Sequence, residues 1–397
     1  MKKAKMRAPE ANVKPRRDFL KLGAGALTML GAYAHGGPEK AAASQMQVTA
    51  GVKDAQNVVW EMRQSQRPPI SVDVHAHWVP PSLDNAQKEV GGGRGARHSL
   101  SEQLTGNIRW MDERAVQAVI FTVDGFKPWY WLSPAEAARE AALVNDAGFE
   151  ANEAYPNRIF LGAEIPALDP ELSLKEVNRV AGHPAVKGLA LPLSMLNKDF
   201  VFDPAFEPVL ARCEELRYPL LFHPLDHEVN EYGGTQSRIG QPLTEDTFIY
   251  NTLGFPWDTS TVAALLIVTG TLDKHPNLQV VLPHAGGAFP YIAGRVQHRI
   301  ERQKFPLKRP FRDYFQQLHY DTMTYYPETL RFLIDFAGAD HVLIGTDSSY
   351  NRSALDRSGP GRQGRYEWPN ALVEYLNLPK EQEEAILRGN AAKLFRL

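Results

Sequence analysis

Short apolar, β-branched runs alternate with longer stretches of helical period through most of the chain. This is the pattern of strands and helices wrapped around a parallel sheet. Eight runs qualify as strands: residues 70–77 (ISVDVHAH), 118–123 (AVIFTV), 158–165 (RIFLGAEI), 186–192 (VKGLALP), 220–224 (LLFHP), 278–284 (LQVVLPH), 318–323 (LHYDTM) and 341–347 (HVLIGTD). The segments between them, such as SPAEAAREAALVNDAGFEANEAY and DPAFEPVLARCEELR, carry helical spacing, and Asp203 ahead of Pro204 predicts an N-cap for the second. Eight strand–helix units predict an α/β fold, a single (β/α)₈ TIM barrel over residues 70–397. A doubly wound open sheet would need a glycine-rich phosphate turn after an early strand, and none is present. The cluster Gly91-Gly92-Gly93-Arg94-Gly95 and residues 225–260 read as loops over the C-terminal mouth, where barrel loops build active sites. Residues 351–369 read as irregular chain before a final helix.

The N-terminus follows another pattern. A cationic stretch ends in Pro15-Arg16-Arg17-Asp18-Phe19-Leu20-Lys21, and a weakly apolar run, too short to span a bilayer, covers Leu22 to Ala34. Ala41-Ala42-Ala43 offers the small residues a signal peptidase accepts. Residues 1–43 thus resemble a twin-arginine-type signal, with Pro15 where Ser or Thr is usual, and residues 44–69 form a linker. The expectation is an exported, periplasmic protein without a stable membrane anchor. Beyond residue 43 the chain holds 35 basic and 43 acidic residues, a balance that argues against nucleic acid or an anionic membrane as partner. Cys213 is the only cysteine, so no intrachain disulfide forms even in an oxidising compartment, and the core must carry stability.

Placement singles out a few of the twelve histidines. His75 and His77 end the first predicted strand, His223 the fifth and His284 the sixth, while Asp347 ends the eighth. Alternation along a strand puts His75 and His77 on one side, at the barrel mouth. Closure of the barrel can bring His223 and Asp347 to the same centre, giving three neutral nitrogens and a carboxylate for one divalent ion, zinc or manganese. A lone His-x-His or His-Pro would be weak evidence, but structural histidines have no reason to gather at one mouth. By contrast, His183 and His275 precede prolines in turns and His341 opens its strand at the other end, so these read as structural. His319, inside the seventh strand, reads as a core histidine.

The order Asp73-x-His75-x-His77, Arg109-Trp110-Met111-Asp112, Phe222-His223-Pro224, then His284-Ala285-Gly286-Gly287-Ala288-Phe289-Pro290-Tyr291 with Gly294-Arg295, and Gly345-Thr346-Asp347, is that of a known family. The chain resembles the aminocarboxymuconate-semialdehyde decarboxylase-like branch of the amidohydrolase superfamily over residues 70–397, including the closing Gly389-Asn390-Ala391-Ala392-Lys393-Leu394-Phe395. The resemblance implies a barrel with a single divalent ion and, in many members, non-oxidative decarboxylation of aromatic or muconate-like acids. By matching position it implies His75, His77, His223 and Asp347 as ligands and His284 as a catalytic histidine. It likewise implies that Arg109 meets the substrate carboxylate and that Arg295 is lent across a homodimer interface. Two departures bear on the site. Ser348-Ser349 follow Asp347 where an aromatic and a proline are usual. Lys187 lies near the start of the fourth strand, not at its end, so no lysine bridges a second metal.

The first functional expectation is a carbon–carbon lyase that releases CO₂ from a small unsaturated or aromatic acid, with Asp347 as acid and His284 tuning or relaying the proton, or with these two roles reversed. A hydrolase of a lactone, amide or ester would use the same ligands, with Asp347 or His284 taking the proton from attacking water. A metal-binding paralogue without catalysis is the third reading, disfavoured by His284 and Arg109 beside the ligands.

Overall fold

The structure, a computed structural model, describes residues 71–89, 95–123, 132–195, 199–225, 250–349 and 369–397. These belong to one compact unit, Ala55–Leu397. The expected signal at 1–43, the linker at 44–69, the glycine cluster apart from Gly95, most of loop 225–260 and nearly all of 351–369 lie outside the described residues.

The strands are β1 (Ser71–His77), β2 (Val116–Thr122), β3 (Ile159–Ala163), β4 (Val186–Pro192), β5 (Leu220–His223), β6 (Val280–Leu282), β7 (Leu318–Asp321), β8 (Val342–Leu343) and β9 (Ser348–Ser349). Between and after them run α1 (Pro81–Glu89), α2 (Leu100–Glu113), α3 (Pro134–Ala154), α4 (Pro170–Val180), α5 (Glu207–Leu216), α6 (Phe255–Val268), α7 (Thr271–Lys274), α8 (Phe289–Gln303), α9 (Pro327–Ala337), α10 (Pro369–Tyr375), α11 (Lys380–Glu384) and α12 (Asn390–Phe395). All strand pairs are parallel, and the nine-stranded order is β8-β7-β6-β5-β4-β3-β2-β1-β9, a TIM-barrel-like α/β fold.

Helix starts follow local chemistry. Ser99 with Glu102 and Ser133 with Glu136 form capping boxes on α2 and α3, and the Asp169 carboxylate accepts from Leu172 N–H at the start of α4. Asp203 caps a 3₁₀ turn, Pro204–Phe206, that leads into α5, so the sequence-based boundary came one turn early.

The expected eighth strand divides in two. Val342-Leu343 pair with β7, whereas Ser348-Ser349 pair with β1, and between them Ile344 O accepts from Val74 N–H at 2.9 Å. The ends of the strand order are therefore neighbours in the chain.

An inner core joins Val72 and Val74 of β1 to Ala118, Ile120, Phe160, Leu221, Val281 and Leu343, with Ala391 and Phe395 of α12 packed against them. Strands that are not neighbours in the sheet meet there, so these side chains face inward. Strict alternation could not put Val72 and Val74 inside together with His75 and His77. A register shift between Asp73 and Ala76 resolves the conflict, re-aiming the end of β1 by one residue.

Candidate metal centre

His75, His77, His223 and Asp347 each offer one ligand atom, and these atoms lie within 4.8 Å of one another. Parallel strands place them: His75 and His77 at the C-terminal end of β1, His223 at the end of β5, and Asp347 in the turn between β8 and β9. Asp347 Oδ1 stands 3.2 Å from His75 Nε2, 3.0 Å from His77 Nε2 and 3.7 Å from His223 Nε2. Asp347 takes a left-handed backbone, φ 51°, and its N–H donates to His75 O at 2.7 Å. Gly345 makes the approach possible, since a Cβ there would fall 2.8 Å from the Cβ atoms of both Asp321 and His75.

The imidazoles are held from behind. His75 Nδ1–H donates to Asp321 Oδ2 at 2.6 Å and His223 Nδ1–H to Pro224 O at 2.8 Å, which turns both Nε2 lone pairs toward the centre. Thr122 Oγ1 lies 3.2 Å from His77 Nδ1. Behind Asp347, the Asp73 carboxylate accepts from Thr346 N–H at 3.1 Å and Thr346 Oγ1–H at 2.6 Å. The Nε2 atoms of His75 and His223 are buried and without a hydrogen-bond partner. Buried nitrogens aimed at a shared carboxylate, with no proton donor to satisfy them, are a donor set that fits one divalent cation.

The charges of the set are coupled. Burial opposes charge on His75, but Asp347 and Asp321 outweigh it and raise this imidazole to about 10. Burial would push Asp347 up, yet the surrounding histidines hold its carboxyl well below the usual carboxylate range. Burial, aided by His77, holds His223 well below its ordinary value and so keeps it neutral. Cation binding at such a set displaces protons.

His284 lies just past β6, in a turn with φ 53°, and its Nε2 is 3.5 Å from Asp347 Oδ2, whereas the other three histidines lie nearest to Oδ1. It stands beside the four-residue set rather than in it. Gly287 permits this turn, because a Cβ there would meet Pro256 O at 2.0 Å. The Phe255 ring flanks the cluster, with its centroid 5.9 Å from that of His284 at an interplanar angle of 28°.

The two expected arginines are elsewhere. Arg109 is exposed in the second half of α2, whose C-terminus leads to the start of β2 and so to the end of the sheet away from His77. The structure does not bring it to the cluster. Arg295 is exposed on the second turn of α8. Lys187 donates to Arg396 O at 3.3 Å, at the end of β4 remote from the cluster. Asp321 and Thr122, which sequence reasoning missed, each sit at the C-terminal end of an apolar strand, the same position that singled out the ligands.

Fold and site together define a TIM-barrel-like protein with a three-histidine, one-aspartate metal set at its strand ends. The Amidohydrolase family model matches residues 72–397, and the chain belongs to that family. It is 25% identical over 342 residues to the gamma-resorcylate decarboxylase of Rhizobium sp. (strain MTP-10005), covering 80% of this chain and 95% of that protein. To the 2-amino-3-carboxymuconate-6-semialdehyde decarboxylase of Dictyostelium discoideum it is 24% identical over 273 residues, covering 68% and 69%. Among solved structures, the dihydroxybenzoic acid decarboxylase of Polaromonas sp. JS666, with bound manganese and 2-nitroresorcinol, superposes with TM-score 0.62 at 22% identity, over 83% of this chain and 97% of that one.

Proposed function

We propose that this chain is a metal-dependent carboxy-lyase that removes CO₂ non-oxidatively from a small aromatic or unsaturated carboxylic acid. The catalytic unit is a single (β/α)₈ barrel over residues 70–397 that holds one divalent ion, manganese or zinc, on His75, His77, His223 and Asp347. The observation that carries the proposal is the pairing of that donor set with His284 Nε2, 3.5 Å from the second oxygen of Asp347. When bound, the ion would supply Lewis-acid chemistry toward a substrate carboxylate.

The chain's own residues do the rest. The bond between the ring carbon and its carboxylate breaks, CO₂ leaves, and the electron pair stays on carbon. Asp347 delivers a proton to that carbon, and His284 Nε2 relays it through Asp347 Oδ2. The relatives named as decarboxylases of gamma-resorcylate and 2-amino-3-carboxymuconate-6-semialdehyde favour this chemistry over hydrolysis.

A panel of hydroxybenzoates and muconate-like acids assayed for CO₂ release, beside lactones and amides assayed for hydrolysis, tests the assignment. Release of CO₂ from at least one acid is expected, and turnover confined to lactones or amides would overturn it. We also propose a homodimer in which the exposed face of α8 carries Arg295 toward the neighbouring subunit, to be read by sedimentation at micromolar concentration; a fully active monomer would remove Arg295 from the site. Residues 1–43 are proposed to direct periplasmic export by the twin-arginine route. A reporter that folds before translocation should cross the inner membrane when fused to them, and should stay inside when Arg16→Lys and Arg17→Lys are combined.

A further inference from the structure

Asp321 closes β7 at the mouth and is fully buried. Its carboxylate receives four hydrogen bonds. Oδ2 accepts from His75 Nδ1–H at 2.6 Å and from His284 N–H at 2.9 Å, while Oδ1 accepts from Ala285 N–H at 2.7 Å and Met323 N–H at 3.0 Å. One oxygen thus holds a side chain of the metal set and the backbone of the proton-relaying histidine at once. The backbone it holds is strained: His284 and Ala285 are consecutive non-glycine residues at φ 53° and 57°, a region L side chains disfavour. Both N–H groups of that turn end on Asp321. A side chain at Gly345 would collide with Asp321 and His75 alike, so the backbone there packs directly against both.

We propose that Asp321 is a positioning residue that registers the metal ligand His75 against His284, so that binding and proton transfer share one geometric anchor. The inference rests on the assignment of His284 to the proton relay. An ionised carboxylate can accept from four donors, whereas an amide of the same shape accepts on one atom and donates from the other. In Asp321→Asn, the oxygen can keep Ala285 and Met323. The amide nitrogen then faces two donors, His75 Nδ1–H and His284 N–H. His75 escapes by moving its proton to Nε2, the tautomer that cannot ligate, while His284 N–H is left buried without a partner.

Two readouts separate this role from a general contribution to folding. Metal affinity of the stripped protein, measured by chelator competition and independent of turnover, should fall about 10- to 100-fold in Asp321→Asn. At saturating metal, kcat of the variant should stay about 10-fold or more below the parent with KM little changed. At the same saturating metal, where weakened ligation by His75 is offset, adding Asp321→Asn to His284→Ala should slow turnover no further than His284→Ala alone, because the remaining effect acts through His284. Should the asparagine variant not fold, Asp321→Ser, small enough to admit water, enters the same cycle. Full parental kcat at saturating metal, or losses that multiply in the double variant, would overturn the proposal. Parental turnover in His284→Ala alone would refute the relay assignment itself, a separate failure visible without Asp321.

Discussion

His75 and His319 are both buried imidazoles on the strands of one sheet, at opposite ends, and their surroundings differ in kind. His75, 6% exposed at the mouth, sits between two carboxylates and is raised to about 10. His319, 8% exposed at the other end, has the Gln279 amide at 2.9 Å and the His341 ring stacked 4.9 Å away, and burial lowers it to about 3. Other histidines away from the mouth are also spoken for: His275 lies between Glu207 and Glu214, and His341 Nδ1–H donates to Leu318 O. A cavity of about 750 Å³ opens beside His319 and His341, yet no set of His, Cys, Asp or Glu suited to an ion gathers there among the described residues. Burial and room do not make a site. Convergent lone pairs with carboxylates behind them do.

Substitutions at the mouth should have the largest effects. The combined variant His75→Ala, His77→Ala should lose its stoichiometric divalent ion, read by elemental analysis, since two of four ligands vanish. Retained metal would mean that the ion is held elsewhere. His284→Ala should keep the ion and lose about 10²- to 10⁴-fold in turnover, the usual cost of an acid–base group.

At the far end the effect should be on stability alone. The folded value of His319, about 3, lies below its ordinary 6.5, so the folded state binds the proton less tightly than the unfolded chain. Its contribution is full above 6.5 and is lost as pH falls toward 3. His319→Gln should therefore leave metal content and turnover unchanged. Between pH 7 and pH 5 it should lose about 2 kcal/mol less stability than the parent in denaturant titrations. An equal loss in both proteins would show that His319 is charged when folded.

Much of this contrast was legible in the residues. The eight apolar runs marked the strands because a sheet buried on both faces demands them, and strand ends then sorted mouth histidines from the others. The register shift in β1 was not legible: alternation predicts a side for each residue, but which neighbour a strand pairs with decides where alternation slips. The split of the last strand was hidden for the same reason. Asp321 carried a positional signal, but its role depends on His75, 246 residues away in the chain. Arg109 shows the converse limit. Its motif position suggested a carboxylate clamp, while the course of α2 leaves it exposed toward the other end of the sheet.

The proposed lyase chemistry requires one ion at the mouth, held by His75, His77, His223 and Asp347. Protein stripped by chelation and titrated back with manganese or zinc tests it most directly, with bound metal and CO₂ release followed in the same samples. Activity should be absent at the start and rise in proportion to occupancy, ending at about one ion per chain. Stripped protein that turns over at the full rate, or activity that stays flat while the four-residue site fills, would show that the ion is not needed for turnover.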